Sequence, residues 1–142
     1  MLEMCYNVNM DAQEKYEYWL DIAQYDLETA IAMLVGGRWL YVVFMCQQAI
    51  EKLVKGLYIL YLDDNVPRLH NINNILECFK DKLPSFISED KLKFFDRLSG
   101  YYINNRYPEY SSKLSKQINE AIAKEILSRT KEEFTWLLTL HP

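Results

Sequence analysis

A chain of 142 residues that is half apolar, one quarter charged and holds only four glycines and four prolines has the make-up of a single globular domain. At this length one core buries roughly 70% of the surface that the unfolded chain exposes, so stability requires neither a metal nor a disulfide. The formal net charge of −4 excludes a general nucleic-acid-coating protein. The charge is unevenly spread: residues 1–64 carry 4 bases and 10 acids, whereas residues 65–142 carry 12 bases and 10 acids. Any anion site is therefore expected in the second half, although two halves that complement each other across a bundle would show the same pattern.

Cys5, Cys46 and Cys78 are odd in number and widely spaced, and they form no CxxC pair. Such cysteines read as reduced thiols of a cytoplasmic protein, with no metal site and no cofactor expected. Neither GxGxxG nor GxxxxGK[ST] occurs. The longest apolar run, WLYVVFMC at 39–46, is far shorter than the roughly 20 residues a membrane span needs. The first residues carry acids where a secretory leader would carry bases, so neither export nor membrane association is expected.

In chain order, residues 1–10 are expected to be irregular and the remainder to fold as one domain. Tyr16, Trp19, Leu20, Ala23, Leu27, Ala30, Ile31 and Leu34 recur at the three-and-four spacing of one helical face. Asp11 and Glu14 suit a capping box at the start of that helix, and Gly36 and Gly37 suit its end. A second helix, Trp39 to Leu62, is apolar around nearly its whole circumference at both ends and should be the central element. DDNVPR at 63–68 is a turn, and His70 to Phe79 reads as a short third helix.

Ser88 followed by Glu89 and Asp90 suits a helix start. Leu92, Phe95, Leu98 and Tyr102 then trace one face, and Pro108 biases Tyr107 away from helix, so the fourth helix is expected to end near Arg106. A last helix is expected from Ser112 to Leu140. No segment alternates with a period of two, so the expected fold class is all-α, an antiparallel up-and-down bundle of four or five helices.

Three stretches carry a family resemblance. QQAIEKLVKGLYI at 47–59 resembles the second-helix signature of HEPN domains, NNRYPEY at 104–110 is similar to their asparagine-rich RYP segment, and LHNINNIL at 69–76 looks like their His-polar-Leu start to a short helix. The order and spacing run from about Tyr16 to Leu138. The resemblance implies a helical bundle that often dimerises and is commonly encoded beside a minimal nucleotidyltransferase. It also implies nucleotide or RNA binding in toxin–antitoxin or defence settings. Ribonuclease members carry a histidine four to six residues after an arginine comparable to Arg106, where this chain has Tyr110, Ser111 and Ser112.

The candidate nucleotide-binding residues are Tyr102, Asn105, Arg106, Tyr107, Pro108 and Tyr110. Flat rings, an amide and a forked cation suit base stacking and bidentate phosphate pairing, while the same tyrosines would also suit a helix end or a dimer contact. Arg106 needs a partner, and Glu51, Glu109, a carboxylate of a second subunit or a ligand phosphate would each serve. Gln47, Gln48, Glu51, Lys52 and Lys55 form a secondary polar patch on the central helix. There Glu51 and Lys55 have the acid-first spacing of an intrahelical pair, and both lysines are expected on a solvated or salt-bridged face. His70 reads as a capping or packing residue, and no catalytic residue is assigned.

The leading expectation is a binding module, more readily non-enzymatic than enzymatic, that forms a homodimer and works with a nucleotidyltransferase partner. The alternatives are a metal-independent endoribonuclease of the same fold and a purely structural dimeric assembly partner.

Overall fold

The computed structural model describes residues 9–103 and 108–142. Among these residues all regular structure is helical. Helix α1, Ala12–Val35, opens on the expected capping box: the Glu14 amide donates to the Asp11 side chain at 2.8 Å, and the Asp11 amide donates back to Glu14. It closes where Gly37, at φ 73°, adopts the left-handed conformation that glycine tolerates, letting the Arg38 amide reach the Met33 carbonyl at 2.9 Å. The three-residue connection folds α2, Trp39–Tyr61, back along α1. Lys15 meets Asp64 at 2.6 Å and Lys52 pairs with Asp26, so the two helices run antiparallel over their whole length. A Cβ built on Gly56 would lie 3.2 Å from the Cβ of Trp19, which makes this glycine the point of close approach between them.

The third helix is shorter than expected. Helix α3 is Ile72–Glu77, and His70 lies outside it, because the Asn71 side chain accepts from the Asn74 amide and takes the N-cap position. A separate 3-10 turn, Lys80–Lys82, follows it. Helix α4, Glu89–Ser99, starts on Ser88 as expected but stops at Gly100 rather than near Arg106. The Gly100 amide is shared between the Asp96 and Arg97 carbonyls, and the next two amides bond three residues back instead of four. That tightening ends the helix and takes Tyr102 out of the apolar line of α4.

The expected last helix is two helices, α5 Pro108–Gln117 and α6 Glu120–Leu138. Between them Asn119 is extended, at φ −113° and ψ 178°, and its side chain accepts from the Ile122 amide at 2.9 Å, so it caps a new helix instead of continuing the old one. Pro108 is the first residue of α5, where a missing amide hydrogen costs nothing.

Ion pairs set the directions of the remaining elements. Lys91 to Glu133, Arg129 to Asp90 and Arg97 to Glu125 lay α4 antiparallel to α6, and the Tyr61 hydroxyl donates to the Leu140 carbonyl, so α6 runs alongside α2 in the same sense. Helices α1, α2, α4 and α6 therefore alternate up and down. Helix α2 is the hub, as its composition predicts: Val42, Val43, Ile50, Leu53, Val54 and Leu57 are all fully buried on it. Fully burying side chains of this kind is worth about 1.5–3 kcal/mol each before the loss of conformational entropy is counted. The same helix also buries three polar side chains, Gln47, Glu51 and Lys55.

Candidate functional site

The buried polar side chains of α2 converge on one carboxylate. Positions 47, 51 and 55 are successive i, i+4 neighbours and so share a helix face. On that face Glu51 accepts from the Gln47 amide nitrogen at 2.9 Å and from the Lys55 ammonium at 3.0 Å. Lys55 is 2% exposed and lies inside the bundle rather than on a solvated face. The intrahelical pairing is as expected, but its setting is not that of a surface pair worth a few tenths of a kcal/mol. A buried pair has given up the hydration of both ions, so losing either partner strands the other. Lys52, by contrast, crosses to α1 and pairs with Asp26, whose carboxyl is pushed up from its ordinary pKa by burial, a shift that the Lys52 contact opposes.

The third donor to Glu51 comes from a residue that the sequence alone presents as a capping or packing group. The Nδ1 of His70 lies 3.1 Å from Oε1 of Glu51, and Gln47 also donates to the His70 backbone carbonyl at 3.0 Å, which pins the α2–α3 connection to α2. A carboxylate only accepts, so the proton sits on Nδ1 and the Nε2 of a neutral ring carries the lone pair. Tyr102 covers one face of the imidazole: the ring centroids are 3.9 Å apart and the planes 11° from parallel. Tyr102 also lies beside Phe44 of α2, at 6.3 Å between centroids. The tightened turn that ends α4 brings Tyr102 there, and Ser99 fastens the two ends together by accepting from the Ile72 amide at the start of α3.

Buried on one side by Glu51 and clamped on the other by Tyr102, the His70 side chain keeps 34% of its surface exposed. Gln48 extends the network outward by donating to the Gln47 side chain at 2.7 Å. Of the polar patch expected on α2, Gln47, Gln48, Glu51 and Lys55 thus belong to one network with His70, and Lys52 belongs to another pair. Of the nucleotide-binding candidates, Tyr102 is part of the cluster. Asn105, Arg106 and Tyr107 lie outside the described residues, as do the side chains of Pro108 and Tyr110, whose backbones open α5.

The signal that could have found His70 is present in the sequence. It is a histidine after a proline-containing turn, with the Asn71 cap directly behind it, which removes it from α3. Nothing in the spacing of α2 and the turn, however, says that residue 70 returns to residue 51. The cysteines also divide. Cys46 is core filler whose thiol burial pushes up to about 12, whereas Cys78 is exposed.

Among the described residues no three histidine, cysteine or carboxylate side chains are grouped to hold a metal ion, and no helix is long and apolar enough to cross a membrane. A separate pocket of about 710 Å³ lies between α3 and the start of α4, bounded by Leu76, Leu83, Pro84, Phe86, Ile87 and Leu92. Of the three charged residues on its wall, Glu77, Lys80 and Asp81, the first two pair with each other at 2.8 Å. It offers apolar surface where the His70 cluster offers a ring stack and an ordered set of donors.

Comparison with solved structures places this geometry in a known fold. The structure is similar to TT1696 from Thermus thermophilus, with a TM-score of 0.75 and 24% identity over 88% of this chain and 97% of that one. It is also similar to ST0689, an archaeal HEPN homologue, with a TM-score of 0.69 and 25% identity over 90% of this chain and 98% of that one. No curated protein sequence matches. The HEPN domain pattern matches residues 16–140, from the first buried ring of α1 to the residue that receives the Tyr61 hydroxyl. The chain belongs to the HEPN domain family, whose membership points to a nucleotide- or RNA-related role.

Proposed function

We propose that the protein is a nucleotide- or RNA-binding module whose ligand docks against the Tyr102–His70 stack, with Asn105, Arg106, Tyr107 and Tyr110 supplying further contacts from the segment that follows Tyr102. We further propose that it works as a homodimer beside a minimal nucleotidyltransferase, in a toxin–antitoxin or defence setting.

The observation that carries the ligand reading is the stack itself. An imidazole and a phenol lie parallel at the surface, over a carboxylate network that holds the imidazole in one orientation. Aromatic surface of this kind contributes roughly 1–3 kcal/mol per stacked base, and it accepts any base because every base has a π-face. Arg106 is four residues beyond Tyr102 in the chain, and its guanidinium suits a phosphate in a bidentate pair. Glu51, one of the partners open to Arg106 on sequence grounds, already accepts from Gln47, Lys55 and His70. That leaves Glu109, a carboxylate of a second subunit and a ligand phosphate as partners for Arg106, and this reading assigns it the phosphate.

Calorimetric titration with ATP, GTP and a short single-stranded RNA, beside thermal melts, is the test. Arg106→Ala is expected to leave the melting temperature nearly unchanged and to weaken binding, and binding should fall as salt rises. No heat with any ligand, together with a large loss of melting temperature in Arg106→Ala, would return the segment to a structural role.

A further inference from the structure

Helix α1 turns toward solvent a face that combines apolar side chains with uncompensated charge. Tyr18, Tyr25, Ile31 and Val35 are four of the nine large apolar side chains exposed among the described residues, and Tyr25 and Val35 keep 70% and 86% of their surface. Residues seven apart lie almost on one line along a helix. Glu14, Asp21 and Glu28 form such a line, which ends on Val35, and Tyr18 and Tyr25 form a second line beside it.

The acids of this face have no cation to meet. Lys15, the one basic residue of α1, turns to Asp64, while Asp26 is buried on the opposite side with Lys52. Glu14 is engaged in the capping box and Glu17 accepts from the Gln13 side chain at 3.2 Å, but among the described residues neither they nor Asp21 and Glu28 enter an ion pair. Glu17 stands three residues from Glu14 and four from Asp21, spacings at which like charges weaken a helix. On α4 and α6 the same spacing joins acids to lysines instead, as Glu89 to Lys93 and Glu120 to Lys124. A helix surface kept for solvent alone gains nothing from exposed rings set among repelling carboxylates, whereas apolar lines flanked by one sign of charge are the form of a helix-docking surface.

We infer that the outer face of α1 docks a basic amphipathic helix of another protein. The apolar line of that helix lies against Tyr25 and Val35, and its lysines or arginines meet Glu17, Asp21 and Glu28. The charge selects this occupant: a second copy of the same face would set carboxylate against carboxylate, so a homodimer forms through other surface. The inference does not rest on the ligand reading above.

The test uses the full chain and a fluorescent synthetic helix of about 20 residues, long enough to lie along the face, with leucines at a seven-residue repeat flanked by lysines. A second peptide replaces the lysines with glutamates. Anisotropy is expected to show binding of the basic peptide only, weakening as salt rises. Asp21→Lys combined with Glu28→Lys should weaken the basic peptide by about tenfold or more and confer binding of the acidic one, and Tyr25→Ser should weaken the basic peptide by about the same factor. The same change of charge on exposed positions of α4 and α6, Asp96→Lys with Glu132→Lys, should alter affinity by less than about threefold. Melts establish that the variants fold, and the charge variant and Tyr25→Ser are read independently, so either decides if the other does not fold. Failure of the basic peptide to bind, or equal weakening by the two charge variants, overturns the assignment. So does a dimer in sedimentation velocity that Tyr25→Ser converts to monomer, since the face then belongs to a second copy.

Discussion

At the scale of single residues, the central question is how a carboxylate comes to be tolerated inside an apolar helix. Glu51 is tolerated because Gln47, Lys55 and His70 all donate to it, and each of them is needed for the others. Glu51→Leu should therefore destabilise by about 3–5 kcal/mol, the cost of an ammonium left unpaired in the core. Glu51→Leu combined with Lys55→Met should recover most of that loss. Urea unfolding of the two single variants and the double variant measures the coupling, and additive losses would contradict the pairing. Cysteine reactivity gives a second check on the core. Cys46, with its thiol pushed up to about 12, should resist iodoacetamide at about pH 8 until the protein unfolds, while Cys78 should alkylate in the native state. Peptide mapping of labelled protein separates the two.

At the scale of elements, helices with strong local signals are legible in the sequence and helix ends governed by tertiary contacts are not. The Asp11–Glu14 box and the Gly36–Gly37 stop lie within the local sequence, and both ends of α1 are where they predict. The apolar circumference of α2 announces the hub of the bundle. The end of α4 is hidden, because Tyr102 continues the apolar line of Leu92, Phe95 and Leu98 while its ring in fact stacks on His70. The break between α5 and α6 is hidden for a related reason: Ile118 and Ile122 keep a helical spacing across Asn119, whose cap interrupts the backbone without disturbing the periodicity. Asn119→Ala should cost about 1 kcal/mol by removing that cap, a fall of roughly 2–5 °C in melting temperature for a domain of this size. An unchanged or raised melting temperature would mean that the two segments prefer to run as one helix. In the candidate site, Glu51 and Lys55 are visible as a pair and Tyr102 as a ring. The return of His70 to Glu51 is a contact over 19 positions that no local pattern encodes.

At the scale of the whole molecule, the acidic first half and mildly basic second half are braced by ion pairs between α4 and α6 as well as between α1 and α2. Much of the basic charge of the second half is thus neutralised within the bundle. Lys91, Arg97 and Arg129 all have carboxylate partners, so affinity for a polyanion should depend on few phosphate contacts and decline only moderately with salt. Large side chains remain uncovered: Tyr25, Val35, Tyr41 and Phe86 are exposed. A homodimer would cover part of this surface. Sedimentation velocity at micromolar concentration should show the dimer, and a monomer persisting at high micromolar concentration would contradict it.

The most direct test of the central claim, that the Tyr102–His70 stack is a ligand platform, is the affinity of a fluorescent single-stranded RNA for the unmodified chain and for Tyr102→Ala, measured by anisotropy at fixed salt. Loss of one stacked base predicts a weakening of roughly 5- to 150-fold, from about 1–3 kcal/mol, with the fold retained by circular dichroism. Equal affinity of the two proteins, or no binding by the unmodified chain, would contradict it.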